Sequence, residues 1–224
     1  MMIDGRLVKA AGFQSGAVRP QWRGRGLYRD LMNRAFGWCD DQGFELGLLL
    51  TDKPAMYEPY GFTILQQQKF VGAPPLETRL AGGARALSLD NAADMALIRQ
   101  VLRERTPVSS VFAVTAQTEM FLLNGFFDPD VRLLYLDQFE VVIAWKEDET
   151  SFQLLDIAGK TIPPLSALLG ALDQRPGRVE VCFPPDRLDW QGKPESFESD
   201  ISLMVRGSAT VVSGPVMLSP MAEF

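Results

Sequence analysis

The sequence predicts an α/β (α+β) fold in which mixed central sheets are flanked by helices. Short apolar runs, each too brief for a helix, alternate with longer segments whose apolar residues recur at helical spacing. Residues 71–85 contain two adjacent prolines and three glycines, which is typical of a linker. Together these observations predict two domains, residues 1–82 and residues 83–224.

The first domain begins with extended chain and continues into a helix. Residues 6–18 alternate loosely between apolar and polar, which predicts one strand, or two short strands broken near residues 10–12. Residues 27–41 have a helical pattern, and Gly43 suits the left-handed position that often follows a helix. We expect this helix to pack through Leu27, Leu31, Ala35, Trp38 and Cys39.

A buried strand and a short helix are predicted next. Residues 46–50 form an apolar run that is too short for a helix, as expected for a strand buried on both faces. Pro54 suits the first turn of a helix over residues 53–60, which Gly61 would close. Residues 62–70 then resume a strand pattern.

The second domain repeats this alternation after the linker. A strand is predicted at residues 85–89, followed by a helix that Asp90 or Asn91 caps and that continues through Arg105. The remaining predicted elements are a helix at 115–123, strands at 131–136, 140–146 and 152–157, with a charged turn at 147–150, a helix at 162–172, and strands at 178–183 and 201–206.

Composition limits the functions open to the chain. The net charge of −6 disfavours a nucleic-acid partner, because binding a phosphate backbone requires a basic face. The chain has no histidine, which excludes Ser/His/Asp and Cys/His nucleophile sites and removes the commonest metal ligand, so we expect no metal. Cys39 and Cys182 lie in apolar patterns and are expected to be reduced core thiols.

The sequence shows no pattern typical of a membrane-spanning helix or a secretory signal. No apolar run reaches the roughly 18 residues that a membrane-spanning helix needs. No charged start leads into a signal-like apolar segment. We therefore expect a cytoplasmic protein with no membrane partner.

The first domain is organised around the loop from Ala17 to Gly26, which leads directly into the predicted helix. Gly24 and Gly26 allow the backbone to turn its N–H groups inward, and the positive end of the helix adds to their field. The loop is therefore a candidate phosphate-binding site. A tight connection without a ligand is the alternative, because glycine pairs are common in turns.

Two segments resemble signatures of one enzyme family. The pattern Gln21-x-x-Gly24-x-Gly26 resembles the coenzyme A loop of GNAT-type N-acetyltransferases, which is Arg/Gln-x-x-Gly-x-Gly/Ala. Farther along the chain, Tyr57 and the pair Gly61-Phe62 resemble the YexxGF signature of that family. The two segments also follow the family's order.

The resemblance implies acetyl-CoA as a co-substrate, with an amine attacking the thioester directly. Backbone groups of Ala17 and Val18 would pair with the pantetheine arm, and the loop amides would hold the pyrophosphate. The implied cofactor-binding residues are Ala17, Val18, Arg23, Gly24, Arg25 and Gly26. The two arginines would add positive charge, although arginines that only keep the loop solvated are the alternative.

The resemblance also assigns one catalytic residue. Tyr57 lies four residues before Gly61, where the family has the phenol that protonates the departing sulfur. The alternative for Tyr57 is an aromatic plug, a role for which Tyr60 is the better candidate. The asparagine that many relatives carry in the same segment is missing.

No residue is identified as the general base. Glu45, Asp52 and Glu58 are near in sequence, but acidic residues beside strand ends are usually solvated, so none of them is assigned. In the related enhanced intracellular survival acetyltransferases the terminal carboxylate enters the active site. Phe224 ends this chain with a similar aromatic residue.

The order of elements after the linker resembles a second, whole GNAT fold. Its loop, residues 157–164, has one glycine and two prolines that lack N–H donors, so we expect this copy not to bind coenzyme A. An unrelated α/β domain is the alternative. The first copy lacks its initial elements, which implies either a truncated product or a sheet neighbour from the second domain or a partner chain.

The tandem layout is similar to that of the survival acetyltransferases. It implies an N-acetyltransferase that moves an acetyl group from acetyl-CoA to a primary amine of a small molecule or peptide. The alternative is a non-catalytic coenzyme A-binding or protein-interaction module. The expected partner is a small-molecule amine, and assembly into a homo-oligomer is left open.

Overall fold

The structure is a computed structural model that describes residues 1–76, 83–147, 151–172, 176–207 and 212–224. Its elements confirm the predicted mixture of sheets and helices. The α-helices are α1 (Leu27–Asp41), α2 (Ala92–Arg103), α3 (Thr118–Phe127) and α4 (Leu165–Leu172). The strands are β1 (Met2–Ile3), β2 (Arg6–Leu7), β3 (Ala10–Gly12), β4 (Leu46–Thr51), β5 (Thr63–Ile64), β6 (Gln68–Gly72), β7 (Ala84–Leu87), β8 (Phe112–Ala113), β9 (Arg132–Leu136), β10 (Val141–Glu147), β11 (Ser151–Ala158), β12 (Arg178–Val181), β13 (Lys193–Ser196) and β14 (Ser202–Gly207).

The chain folds into two compact units. The small unit comprises Leu7–Gln66, the described part of Glu198–Val211, and Phe224. The large unit comprises Met1–Arg6 and the described parts of Gln67–Phe197 and Val212–Glu223. Each unit therefore draws on both halves of the sequence, and the proposed cut at 82/83, beside residues that the structure does not describe, stays a prediction.

A four-stranded sheet, in the order β3-β4-β14-β5, forms the centre of the small unit. β3 runs parallel to β4, whereas β14 runs antiparallel to both β4 and β5. β4 is buried over most of its length, as its apolar run predicts. β14 had been expected as the last strand of the second domain, but its register with β4 makes it a central strand of this sheet.

The predicted bounds of α1 are correct, but its packed face was partly wrong. The buried residues are Met32, Phe36 and Cys39, and Met32 and Phe36 pack with the sheet residues Leu49 and Met204. Three of the five residues expected at the core instead lie at the surface, namely Leu27, Leu31 and Trp38. The sequence offers two apolar stripes on this helix, and the aromatic cluster around Phe36 determines which one is buried.

Two predictions about the segments beside α1 need correction. The strand expected over residues 6–18 is limited to β2 and β3, and residues 13–19 lie outside any strand. The break expected near residues 10–12 is also wrong, because β3 occupies those residues. The helix expected over residues 53–60 is instead a pair of 3₁₀ turns, at Pro54–Met56 and Glu58–Tyr60. The second proline, Pro59, removes the donor that a continuous α-helix would need there.

A seven-stranded sheet forms the core of the large unit, in the order β13-β6-β12-β11-β10-β9-β7. β11 and β12 are parallel, and the other neighbouring strands in this sheet are antiparallel. One face packs against α4 through buried residues such as Leu168 and Ile157. The other face packs against α2 and α3, where Ile98 and Phe121 are buried.

The starts of α2 and α4 can be compared with the sequence predictions. Asn91 caps α2, accepting hydrogen bonds from the amides of Ala93 and Asp94. α4 begins at Leu165, after the proline pair that had been placed within its first turn. The turn expected at residues 147–150 lies mostly outside the described residues.

Three further findings bear on the composition-based expectations. Cys39 and Cys182 are both buried and unpaired, which confirms two free thiols. No helix in the described part of the chain is both long and apolar enough to cross a membrane. The described residues also contain no group of three or more His, Cys, Asp or Glu side chains that could hold a metal ion.

Candidate active site

The candidate site begins where β3 and β4 stop pairing. Their parallel register ends at Gly12 and Leu48, and one further hydrogen bond joins the Phe13 amide to the Leu48 carbonyl at 2.8 Å. Beyond this point β4 continues to Thr51, whereas residues 13–19 belong to no strand. The pairing of the two segments therefore ends before the carboxyl end of β4.

The segment that follows β3 has backbone amides without a described hydrogen-bond acceptor. The N–H groups of residues 14–18 donate no hydrogen bond to any residue that the structure describes. Ala17 is exposed and Val18 is half-buried, so both predicted pantetheine-binding residues lie on accessible chain. Ser15 has a φ of 57°, which turns the chain away from a regular strand. This segment can offer donors and acceptors to an extended ligand.

The glycine loop follows directly. Gly24 and Gly26 each have a φ of +76°, a left-handed conformation that glycine adopts without steric cost. A Cβ at Gly24 would meet nothing within 4 Å, so the space beside it is open. Gly26 occupies the N-cap of α1, where no side chain caps the free amides. Loop and helix together thus present an uncapped, positive helix terminus.

One of the loop amides that the resemblance assigns to the pyrophosphate is already engaged within the chain. The Arg23 amide already donates to the Pro20 carbonyl at 3.2 Å and closes a 3₁₀ turn. The amides of Gly24, Arg25 and Gly26 donate to no acceptor in the described part of the chain. These three N–H groups are therefore the ones that an anion could engage.

Arg23 and Arg25, the two arginines of the loop, contact different residues. Arg23 Nε donates to the Val18 carbonyl at 3.2 Å, which ties the loop to the preceding segment. The Arg25 guanidinium lies 4.6 Å from the centroid of the Trp22 ring. Residues 5–29 contain six basic side chains and no acidic one, although the whole chain has a net charge of −6. The loop is therefore a local positive patch on an acidic protein.

Tyr57 lies at the end of the first 3₁₀ turn after β4 and is half-buried. Its hydroxyl is 3.0 Å from the hydroxyl of Tyr28, in the first turn of α1. The Tyr57 ring contacts Phe62 edge to face, with centroids 6.3 Å apart. Burial is the main cause that raises the pKa of Tyr28, followed by its hydrogen bond to Tyr57. Tyr28 therefore holds its proton firmly.

The sequence did not identify Tyr28 as a site residue. Its signal is the helical position four residues before the buried Met32, together with a location immediately after the glycine loop. A Cβ placed on Gly16 would lie 3.2 Å from the Tyr28 hydroxyl oxygen. Tyr28 therefore lies in the first turn of α1, beside Gly16 and within hydrogen-bond distance of Tyr57.

Tyr60, the residue considered above as an aromatic packing residue, contacts α1 and β14. Its ring lies 5.6 Å from that of Phe36, and its carbonyl accepts a hydrogen bond of 3.0 Å from Arg206 Nε. Arg206 also stacks over Phe36 at 4.5 Å. These contacts hold the segment that carries Tyr57 against α1 and β14.

The structure also places Asp52, Glu58 and Phe224, which the sequence analysis considered without assigning a role. Asp52 forms an exposed ion pair with Lys53 at 3.2 Å, and Glu58 is exposed. The Phe224 ring lies so close to Gly12 that a Cβ there would approach it to 2.9 Å. Phe224 thus lies beside the last residue of β3 that pairs with β4.

The corresponding place in the large unit is occupied by the chain itself. The pairing of β11 with β12 ends at Leu154 and Val181, with β11 continuing to Ala158. On this final part of β11, the Ser219 hydroxyl contacts the Leu155 carbonyl at 2.9 Å and the Asp156 carboxylate at 3.1 Å. Asp156 in turn forms a buried ion pair with Arg105. This region is filled by internal contacts.

A family model matches the N-terminal part of the chain. The model of the acetyltransferase (GNAT) domain matches residues 1–65, the segment that contains the loop and Tyr57. The comparison with curated proteins gives no significant match. Residues 1–65 are therefore similar to a GNAT acetyltransferase domain.

Solved structures extend the fold comparison to the rest of the chain. Eis1 from Mycobacterium abscessus matches with a TM-score of 0.57 and 16% identity over 92% of this chain and 58% of its own. A GCN5-related N-acetyltransferase from Kribbella flavida matches with a TM-score of 0.51 and 15% identity over 92% of this chain and 54% of its own. The chain thus has a GNAT-like fold consistent with the tandem layout, and it spans just over half the length of these proteins.

Proposed function

We propose that this chain is an N-acetyltransferase that uses acetyl-CoA to acetylate a primary amine of a small molecule or peptide. The observation that carries the proposal is that pairing with β4 stops after Phe13. The chain beyond it has backbone amides, at residues 14–18, that donate to no described residue, and it leads into the uncapped glycine loop. An extended arm ending in a pyrophosphate has the shape and charge that this arrangement accepts. The match of residues 1–65 to the GNAT domain supports the same assignment.

Within this proposal the chain's own groups bind and orient the donor. Backbone groups of Ala17 and Val18 would pair with the pantetheine arm, while the amides of Gly24, Arg25 and Gly26 would bind the pyrophosphate. Arg23 and Arg25 would add charge. The bound thioester supplies an activated acetyl group, so the protein's task is largely positioning and electrostatic stabilisation.

Tyr57 would serve as the proton donor. When the neutral amine nitrogen bonds to the acetyl carbon and the C–S bond breaks, the sulfur leaves as a thiolate and takes the Tyr57 hydroxyl proton. The nitrogen gives up one proton to solvent, which leaves a neutral amide, and a proton from solvent later restores the Tyr57 hydroxyl. The Tyr28 hydroxyl, 3.0 Å away, would then donate its own hydrogen bond to the Tyr57 phenolate. Because burial raises the pKa of Tyr28, its hydroxyl keeps its proton and can donate that hydrogen bond.

The proposed partner is a small-molecule amine, with no metal, nucleic acid or membrane involved. The net charge of −6 supports a cationic or neutral acceptor over a polyanion. The two free buried thiols support a cytoplasmic location, where thiols stay reduced. The proposal leaves homo-oligomer formation open.

The test is an assay of free thiol released from acetyl-CoA in the presence of a panel of primary amines, from polyamines and aminoglycosides to lysine peptides. Thiol release that depends on both the protein and one class of amine is the expected result. Binding of acetyl-CoA without release for every amine would instead support a non-catalytic binding module. Absence of both binding and release would contradict the proposal.

A further inference from the structure

Trp22 is an exposed aromatic residue beside the glycine loop. It ends the 3₁₀ turn Pro20–Trp22, two residues before Gly24, and 47% of its surface is accessible. The described hydrophobic clusters do not include Trp22, and the described residues give its ring no aromatic partner. Packing within the small unit therefore does not explain a tryptophan at this position.

Trp22 is nevertheless held in a defined position. Arg25 stacks over the indole at 4.6 Å, and the Trp22 amide donates to the Arg19 carbonyl at 2.9 Å. An arginine over one face leaves a flat apolar surface beside a guanidinium. A tryptophan that is both restrained and solvent-accessible has the properties of a stacking platform.

The surroundings of this platform are strongly positive. Arg19, Arg23, Arg25 and Arg29 lie within eleven residues of sequence, and none forms an ion pair with a described residue. The free amides of Gly24, Arg25 and Gly26 lie in the same loop. Phosphate groups and a planar base would therefore meet complementary groups in one place.

We propose that Trp22 stacks against the adenine base of the acyl donor, while the neighbouring arginines bind its phosphates. This inference rests on the proposed function and makes it more specific. The donor would be a free nucleotide thioester, recognised at its nucleotide end, rather than a phosphopantetheine arm carried on a protein. Trp22 then determines which class of donor the enzyme accepts.

The test compares ligands with and without the base by calorimetric titration. Coenzyme A carries the nucleotide, whereas 4′-phosphopantetheine keeps the arm and one phosphate but has no adenosine. The variants are Trp22→Ala and Trp22→Phe, with Trp38→Ala as the matched control because Trp38 is another exposed tryptophan, on α1. Thermal melting of each variant shows whether it remains folded.

Trp22→Ala is expected to weaken coenzyme A binding by about 5- to 150-fold, the usual effect of removing a stacked aromatic ring. The same variant should bind 4′-phosphopantetheine as the wild type does, and Trp22→Phe should retain most of the affinity for coenzyme A. Trp38→Ala should bind both ligands normally.

Equal affinity of wild type and Trp22→Ala for coenzyme A would overturn the stacking role. An equal loss for both ligands would also overturn it, because it would indicate general damage to the loop. If the wild type binds neither ligand, the proposed function itself fails, and the inference fails with it.

Discussion

The hydroxyl groups of Tyr28 and Tyr57 lie 3.0 Å apart in the candidate site. Tyr57 was assigned through the resemblance of its segment to the GNAT signature, and that assignment stays a prediction. Tyr28 was not assigned, because nothing in the sequence shows that α1 and the turn after β4 bring the two hydroxyls together. The sequence could also predict Gly24 and Gly26, since both require a left-handed backbone. A sequence can thus indicate a residue whose place depends on local backbone conformation, but not one whose place depends on contacts between distant segments.

Replacing Tyr57 by phenylalanine should slow turnover by roughly 10²- to 10⁴-fold, because the thiolate loses its proton donor. Affinity for acetyl-CoA should stay nearly unchanged. Steady-state kinetics measure the first quantity and calorimetry the second. Tyr60→Phe is the control, since Tyr60 packs on Phe36 and its backbone, not its hydroxyl, accepts the Arg206 bond. A wild-type rate for Tyr57→Phe would reduce Tyr57 to a packing residue.

Both cysteines should be unreactive in the folded protein. Burial raises the pKa of the Cys182 thiol to about 12 and also raises that of Cys39, so at neutral pH neither forms the reactive thiolate. Titration with a thiol-specific disulfide reagent should show no rapid reaction until denaturant is added, and then two equivalents. Rapid reaction in native buffer would show that a thiol is exposed.

At the scale of elements, the bounds of α1 could be predicted but its orientation could not. Its residues offer two apolar stripes, and the choice depends on the distant partners Leu49, Phe62 and Met204. The 3₁₀ turns around Tyr57 were similarly misjudged as one helix. Helical spacing therefore identifies an element, whereas tertiary contacts determine which face it buries.

The large unit contains a buried ion pair on β11 that should contribute to its stability. Arg105 Nη1 and Asp156 Oδ2 are 3.2 Å apart, and their side chains are only 3% and 1% exposed. Asp156→Ala leaves the arginine charge buried and should lower the free energy of unfolding by about 3–5 kcal/mol. Denaturation in urea measures this change.

The matched control removes a carboxylate from an exposed pair in the same sheet. Glu147 pairs with Arg132 at 3.0 Å, and both are largely solvated. Glu147→Ala should change the free energy of unfolding by no more than about 1 kcal/mol. Similar losses for the two variants would show that burial does not distinguish the pairs.

At the scale of the whole molecule, the strand order changes an expectation about fragments. Residues 83–224 seemed from the sequence to hold a full set of elements, but β6, which pairs with β12 and β13, lies before that cut. Conversely, β4 and β5 pair with β14, which lies after it. Strand partners that are distant in sequence could not be assigned from periodicity alone.

We therefore expect that neither residues 1–82 nor residues 83–224 form a soluble, cooperatively melting monomer when expressed alone. Each fragment would expose strand edges and apolar surface that the other covers. Co-expression of the two fragments should restore a soluble complex. Size-exclusion chromatography and thermal melting provide the measurement, and a folded monomer from either fragment alone would refute the claim of mutual dependence.

The central claim, that the glycine loop binds the pyrophosphate of acetyl-CoA, is tested most directly by calorimetric titration of wild type, Gly26→Asp and Gly37→Asp. Gly37 lies on the exposed face of α1 and receives the same change of charge with nothing within 4 Å of the new Cβ. Wild type and Gly37→Asp should bind acetyl-CoA, whereas Gly26→Asp should show no detectable binding, because its carboxylate would repel the phosphates at the helix terminus. Equal binding by all three folded proteins would contradict the account.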